Sequence, residues 1–395
     1  MTTKPAPDIG ALVRAAEAEL RLRNSTAALE LLARAEAAAP ADIPVKMLKA
    51  SALRLAGDLP GALAALEGVL TQDPYHFLAL LSKGALLERL VGPRIAARFY
   101  RDILEAAPPE ERIPPGLAAP IAHARKLVAE MSDDLADFLR QRVSTVKARH
   151  GNASLARFEE ALDIYAGRRK PFVQQPLLMH FPQLPAIPFH DRAHFPWLPE
   201  LEAATDMIRG ELDVALDVAH EDFAPYVAYP PGTPVGQWRD LNNSTNWRSL
   251  WLWKDGRRQD QACAICPGTA ALLDTLPMAD QPGFAPTALF SALEAHTRIP
   301  PHTGSTNTRL LVHLPLILPG PAGFRVGNET RAWRMGEAWV FDDSIEHEAW
   351  NDADALRVIL IFDVWNPFLS EAERDLLTVM MNARNAYYSG GDSPM

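Results

Sequence analysis

Cysteine is almost absent from this chain, with only Cys263 and Cys266 among 395 residues. A structural zinc site would need a second cysteine pair or histidines close by, and neither is evident. The Cys-Ala-Ile-Cys run also lacks the βαβ context of a redox motif, so both are read as ordinary reduced thiols. Long apolar runs are missing too. No window approaches 18 uninterrupted apolar residues, which argues against a membrane-spanning helix. Positive charge is in deficit, with 39 Lys and Arg against 49 Asp and Glu and a net charge of −10. No basic stripe offsets that balance, so nucleic acid is not an expected partner. Residues 1–8 lack the apolar core of a signal peptide, and the expected location is cytoplasmic.

What is present begins with a repeat. Pro40, Pro74 and Pro108 fall 34 residues apart, and Ala28, Ala62 and Ala96 keep the same period. A 34-residue period of helix pairs closed by proline is the tetratricopeptide signature. The small alanine lets paired helices approach closely, and the proline ends the second helix. Such repeats serve either as a packing scaffold or as a groove for a peptide or protein partner. Helical spacing continues through 120–165, at Leu127, Met131, Leu135, Phe138 and Leu139.

A Pro-rich stretch over 170–199 follows and reads as punctuation between domains. His180, His190 and His194 lie in it at spacings that match no metal motif, so they are read as surface or packing residues. One amphipathic helix is expected over 199–217. Short β-patterned segments then run from Trp247 to Trp365, separated by Gly, Pro and Asp-Asp turns, and a last helix is expected over 369–385. The expected fold class is α+β and multidomain: helical repeats over 1–165, a connector over 166–199, and a jelly roll over 200–395.

Three side chains in those strands carry chemistry. His302 and His347 stand 45 residues apart, each at the margin of a strand pattern. A jelly roll brings such distant residues together at its open mouth, where two imidazoles can hold a divalent metal. Ordinary hydrogen bonding is the alternative for two such histidines. Arg357 interrupts the apolar run Leu356-Arg357-Val358-Ile359-Leu360-Ile361. A charge there requires a partner, either a ligand carboxylate or an internal bridge to Asp342, Asp343 or Asp363.

The motifs between Trp247 and Pro367 resemble the aspartyl/asparaginyl β-hydroxylase family of Fe(II)- and 2-oxoglutarate-dependent oxygenases. They include Leu252-Trp253 with Gly256-Arg257-Arg258, Pro301-His302-Thr303-Gly304 with Thr306-Asn307, and Asn328-Glu329-Thr330. The run from Phe341 through His347 to Trp350, and Phe362-Asp363-Val364-Trp365-Asn366-Pro367, complete the set. Animal members similarly carry tetratricopeptide-like repeats before the catalytic domain.

The resemblance implies a double-stranded β-helix that hydroxylates an unactivated carbon, with Fe(II), 2-oxoglutarate and O2 as cofactors and ascorbate as reductant in vitro. It implies metal ligation by His302 and His347. Gly304 stands where most such oxygenases carry a third, carboxylate ligand, and this family is similar in lacking it. Arg357 would bind the distal carboxylate of 2-oxoglutarate beside Ser291, His313 would contact the cosubstrate, and Trp253 would wall the pocket. Arg309 and Asp255 fall on the substrate side. The chain departs from the animal members at Leu311, where they carry a second cosubstrate arginine. Lys254 and Asp255 replace polar amides that resemble substrate contacts. The expected substrate is an Asp/Asn-type residue of a peptide or protein, or a related small molecule. A lipid substrate, a catalytically inactive scaffold, and a zinc- or manganese-bound jelly roll are the alternatives.

Overall fold

The computed structural model describes residues 8–151, 155–281 and 283–389, and the chain divides into compact units at Met1–Lys170 and Pro171–Met395. The first unit is helical. Its antiparallel pairs are α1 (Ile9–Arg21) with α2 (Ser25–Ala38), α3 (Ile43–Ala56) with α4 (Leu59–Leu70), and α5 (Phe77–Val91) with α6 (Pro93–Glu105). Side chains of Asp8, Asn24, Asp42 and Asp58 accept from backbone N–H groups at four of the helix starts, which satisfies donors that the helix itself cannot. Ala28, Ala62 and Ala96 are fully buried where the paired helices meet. Gly84 of α5 serves the same end, because a Cβ there would overlap the Tyr100 ring of α6. The unit closes with α7 (Pro115–Arg149) and α8 (Ala156–Ala166). The helix expected to run through 120–165 is thus two helices, parted where Gly151 takes a positive φ of 23°.

The second unit begins with the Pro-rich stretch, which packs into it rather than linking two units. Asn307 ties it down, accepting from the Phe181 N–H at 2.7 Å and donating to the Phe181 carbonyl at 2.8 Å. Gln174 donates to Asp342 at 2.6 Å, and Phe189 is buried in the core. His190 packs against Phe195 and Phe368. The expected single helix over 199–217 is split into α9 (Leu198–Ala203) and α10 (Thr205–Val218). At the break the Thr205 hydroxyl donates to the Glu202 carbonyl at 2.7 Å, a local bond that competes with helix continuation.

Among the described residues eleven strands follow, with two short α-helices among them. They are β1 (Ala224–Pro225), β2 (Trp247–Lys254), β3 (Arg257–Arg258), α11 (Asp260–Ile265), α12 (Pro267–Thr275), β4 (Ala288–Leu293), β5 (Thr297–His302) and β6 (Arg309–Ile317). The rest are β7 (Ala322–Val326), β8 (Glu329–Ala332), β9 (Trp339–Phe341), β10 (His347–Asn351), β11 (Arg357–Trp365) and the terminal α13 (Glu371–Ser389). All pairings between strands are antiparallel. One sheet runs β1-β2-β4-β11-β6-β9 with β3 beside β2, and the other runs β5-β10-β7-β8. This is the double-stranded β-helix that the family resemblance implies, built from the short strands that the sequence pattern predicts.

Strand periodicity sorts the larger sheet into two faces. Phe290, Val312, Leu360 and Phe362 pack toward α10, α11 and α12 with Leu212 and Leu273. Leu293 and Ile359 point the other way and meet Ile299, Phe324 and Val326 of the smaller sheet. Cys263 and Cys266 are both buried free cysteines. No described helix is long and apolar enough to cross a membrane.

Candidate functional site

His302 ends β5, His347 opens β10, and the two residues are direct partners in the antiparallel register. Their rings lie 4.1 Å apart, centroid to centroid. The Nδ1 atom of His302 is 2.8 Å from the Pro300 carbonyl, and that of His347 is 3.0 Å from the Ile345 carbonyl. A carbonyl can only accept, so each Nδ1 carries the proton and each Nε2 presents its lone pair. Burial pushes the pKa of both rings down, far down for His347, and so favours the neutral form that ligates metals. Backbone carbonyls that fix ring orientation and tautomer are the usual support of histidine ligands.

The remaining groups come from the facing sheet. Register places Ile359 of β11 opposite Ser291 of β4, and Ile361 opposite His313 of β6. Ser291, His313 and Arg357 therefore share the face that looks toward the histidine pair, and all three line one cavity with it. That cavity measures about 440 Å³. Ser291 Oγ accepts from Trp247 Nε1 at 3.0 Å. His313 is pressed between aromatic neighbours, stacked on Trp333 and edge-on to Phe341. Burial, and then the positive Arg357 nearby, keep its pKa well below the ordinary value.

Arg357 is the largest fully buried side chain, 1% exposed, and its Nε and Nη1 have no hydrogen-bond partner. Burial alone lowers its pKa to about 10. The internal salt bridge weighed from sequence is not there: Asp363 is paired with Arg309 instead. The face of Trp333 lies 5.6 Å from the guanidinium. A buried cation left in this state is strongly disfavoured unless an anion completes the site.

Gly304 has a spatial reason. A Cβ at that position would overlap the carboxylate of Asp343, whose backbone carbonyl accepts from the Gly304 N–H at 2.6 Å. Asp343 is 4% exposed, lines the cavity, and has an unpartnered Oδ1. Burial raises its pKa to about 7 against the opposing pull of Arg309. Among the described residues no group of three His, Cys, Asp or Glu is arranged to hold a metal ion.

Two expected site residues lie elsewhere. Trp253 is buried among the helix-facing residues with Leu250 and Leu252, and Arg258 stacks over it. A register shift between Trp251 and Trp253 turns it to that face, and Trp247 lines the cavity in its place. Asp255 is exposed in the tight turn between β2 and β3, where it takes a φ of 52°, and does not reach the cavity wall. Arg309 does line the cavity. Asp343, weighed from sequence as a bridge partner of Arg357, lines the cavity, and sequence reasoning missed the rim formed by Leu177, Tyr226, Tyr229 and Trp238. The aromatic cluster Tyr226-Val227-Ala228-Tyr229 ahead of Pro230 and Pro231 was the available signal for that rim.

Fold and site together define a double-stranded β-helix domain in which a histidine pair and an unpaired arginine face one cavity. Residues 202–367 match the family model of aspartyl/asparaginyl beta-hydroxylases. The chain is 33% identical to the human aspartyl/asparaginyl beta-hydroxylase over 180 residues, 45% of this chain and 23% of that protein. It is 35% identical to the ornithine lipid ester-linked acyl 2-hydroxylase of Rhizobium tropici over 188 residues, 47% of this chain and 63% of that protein. Aspartate beta-hydroxylase domain-containing protein 2 of Xenopus tropicalis is 31% identical over 214 residues, covering 53% and 55%. The match spans under a quarter of the human relative's length.

Proposed function

We propose that the β unit is an Fe(II)- and 2-oxoglutarate-dependent hydroxylase. The observation that carries this reading is the buried, unpaired guanidinium of Arg357 in the cavity that also holds His302 and His347. The two free Nε2 lone pairs suit a divalent metal, and a dicarboxylate suits Arg357 because one of its ends can neutralise the guanidinium.

His302 and His347 would hold the iron, which with 2-oxoglutarate and O2 supplies the oxidising power to hydroxylate an unactivated carbon. Arg357 fixes the distal carboxylate of 2-oxoglutarate, helped by the Ser291 hydroxyl. The Trp247 indole donates to Ser291 Oγ, which leaves the Ser291 proton free to point at the cosubstrate. His313, held neutral, contacts the cosubstrate without adding a second positive charge beside Arg357. Surrounding Leu289, Ile359 and Phe324 exclude water from the reacting centre.

The names of the relatives leave two substrate types open, an Asp or Asn side chain and a lipid acyl chain. We read the helical unit as a protein-docking module. The test is succinate release by purified protein supplied with Fe(II), 2-oxoglutarate and ascorbate. Release that requires all three and disappears in His302→Ala is the expected result. Absence of both succinate release and 2-oxoglutarate binding would refute the assignment.

A further inference from the structure

Each histidine of the pair stands beside a loop. His302 ends β5 and leads into residues 303–308, while residues 342–346 lead into His347 at the start of β10. The β5–β10 ladder shifts register between His347 and Ala349, so the ladder alone does not set the two rings. The loops touch directly where the Gly304 N–H donates to the Asp343 carbonyl at 2.6 Å. The spacing of the two Nε2 atoms therefore depends on where these loops lie.

The Pro-rich stretch that opens the β unit lies along both loops. The Leu177 and Leu178 N–H groups donate to the carbonyls of Gly304 and Ser305 at 2.9 Å, and the Gln175 N–H donates to the Ser344 carbonyl at 2.7 Å. One side chain bonds the two loops at once. Gln174 Oε1 accepts from Asn307 Nδ2 at 3.0 Å, and its Nε2 donates to Asp342 Oδ2 at 2.6 Å. Asn307 and Asp342 are fully buried. Asp342 Oδ1 accepts from the Ser344 N–H and hydroxyl at 3.0 and 2.6 Å, and Asn307 Nδ2 also donates to the Phe181 carbonyl at 2.8 Å. The three side chains form a closed hydrogen-bonded bridge, in contrast to the open guanidinium of Arg357. Gln174 also pairs through its backbone with Ile345, whose carbonyl lies 3.0 Å from His347 Nδ1. Gln174 itself stands outside the cavity wall.

Resting on the hydroxylase reading, we propose that Gln174 is a positioning residue for the metal pair. It acts through Asn307 and Asp342 to hold the His302 and His347 loops at the separation that lets both imidazoles serve one ion. An amide suits this place because it offers a donor and an acceptor in fixed positions. A carboxylate would lose the donor and set a second negative charge against buried Asp342. Arg357 and Ser291 stand on β11 and β4 of the other sheet, apart from this bridge.

The test is a titration of full-length protein with Mn(II) alone, followed by the electron paramagnetic resonance of the free ion, and it needs no turnover. Wild-type protein should bind, and Gln174→Glu should weaken Mn(II) by about 10-fold or more. The same variant should leave 2-oxoglutarate binding to the metal-free protein unchanged. Gln174→Glu combined with Asp342→Asn faces a donor with an acceptor again, in the reverse sense, and should recover most of the lost affinity. If Gln174→Glu does not fold, Gln174→Met keeps the length of the side chain without its bonds and should weaken Mn(II) by a smaller factor. A bridge that serves stability alone would lower the melting temperature without moving Mn(II) affinity. Unchanged Mn(II) affinity in the folded variants, or an equal loss of 2-oxoglutarate binding, overturns the inference. Wild-type protein that binds no Mn(II) overturns it together with the hydroxylase reading, so the two failures are distinguishable.

Discussion

The two units treat buried polar groups in opposite ways. In the helical unit the buried polar side chains are satisfied: Ser132 accepts from Arg101, and Asp163 is held by Arg140 and Arg168. Every buried side-chain nitrogen or oxygen without a partner among the described residues belongs to the β unit, and Arg309, His313, Asp343 and Arg357 of that set line its cavity. Native interiors rarely leave such groups unpaired, because each costs about 1–3 kcal/mol. The contrast separates a unit built for packing from one that holds open positions for ligands.

The largest effect should come from the histidine pair. Under the proposed reading, in which the two rings hold a metal, His302→Ala or His347→Ala should lower succinate formation by roughly 100-fold or more while the protein stays folded. A variant that lost activity only because it unfolded would erase the distinction drawn between the units.

A second effect falls on stability within the β unit. His190 has both ring nitrogens unpartnered, and burial holds its pKa at about 4. The folded state therefore binds its proton less readily than the unfolded chain, whose histidine titrates near 6.5. Stability is complete above about pH 6.5 and falls as pH drops toward 4, by about 3 kcal/mol at most. His190→Phe should flatten that part of the pH–stability curve. An unchanged curve would show that His190 is not the titrating group.

The smallest effect belongs to the helical unit. Gly84→Ala should cost about 2 kcal/mol in chemical denaturation, because overpacking against Tyr100 outweighs the better helix propensity of alanine. A stabilising outcome would mean that the α5–α6 contact can yield.

The same contrast explains what could be read in the sequence. Helical repeats are local, so the 34-residue spacing of Ala28, Ala62 and Ala96 was enough to place the packed pairs. In the β unit, type and strand pattern located His302, His347 and Arg357, and the family resemblance named Ser291 and His313, which the strand register puts on the face that carries Arg357. Two things were not legible. One slip of register in β2 moved Trp253 to the wrong face, and no composition signal announces a bulge. The partner of Arg309 and the carboxylate beside Gly304 are tertiary facts, since Asp363 lies 54 residues from Arg309 and Asp343 lies on a distant turn.

The central claim is that Arg357 is left unpaired for a ligand. Titration of 2-oxoglutarate into wild-type protein and Arg357→Met tests it most directly, with a thermal melt of each. The account predicts that the variant needs roughly 100-fold more 2-oxoglutarate and melts higher, because a buried unpaired cation has been removed. Unchanged 2-oxoglutarate affinity together with a lower melting temperature would contradict it and make Arg357 a structural residue.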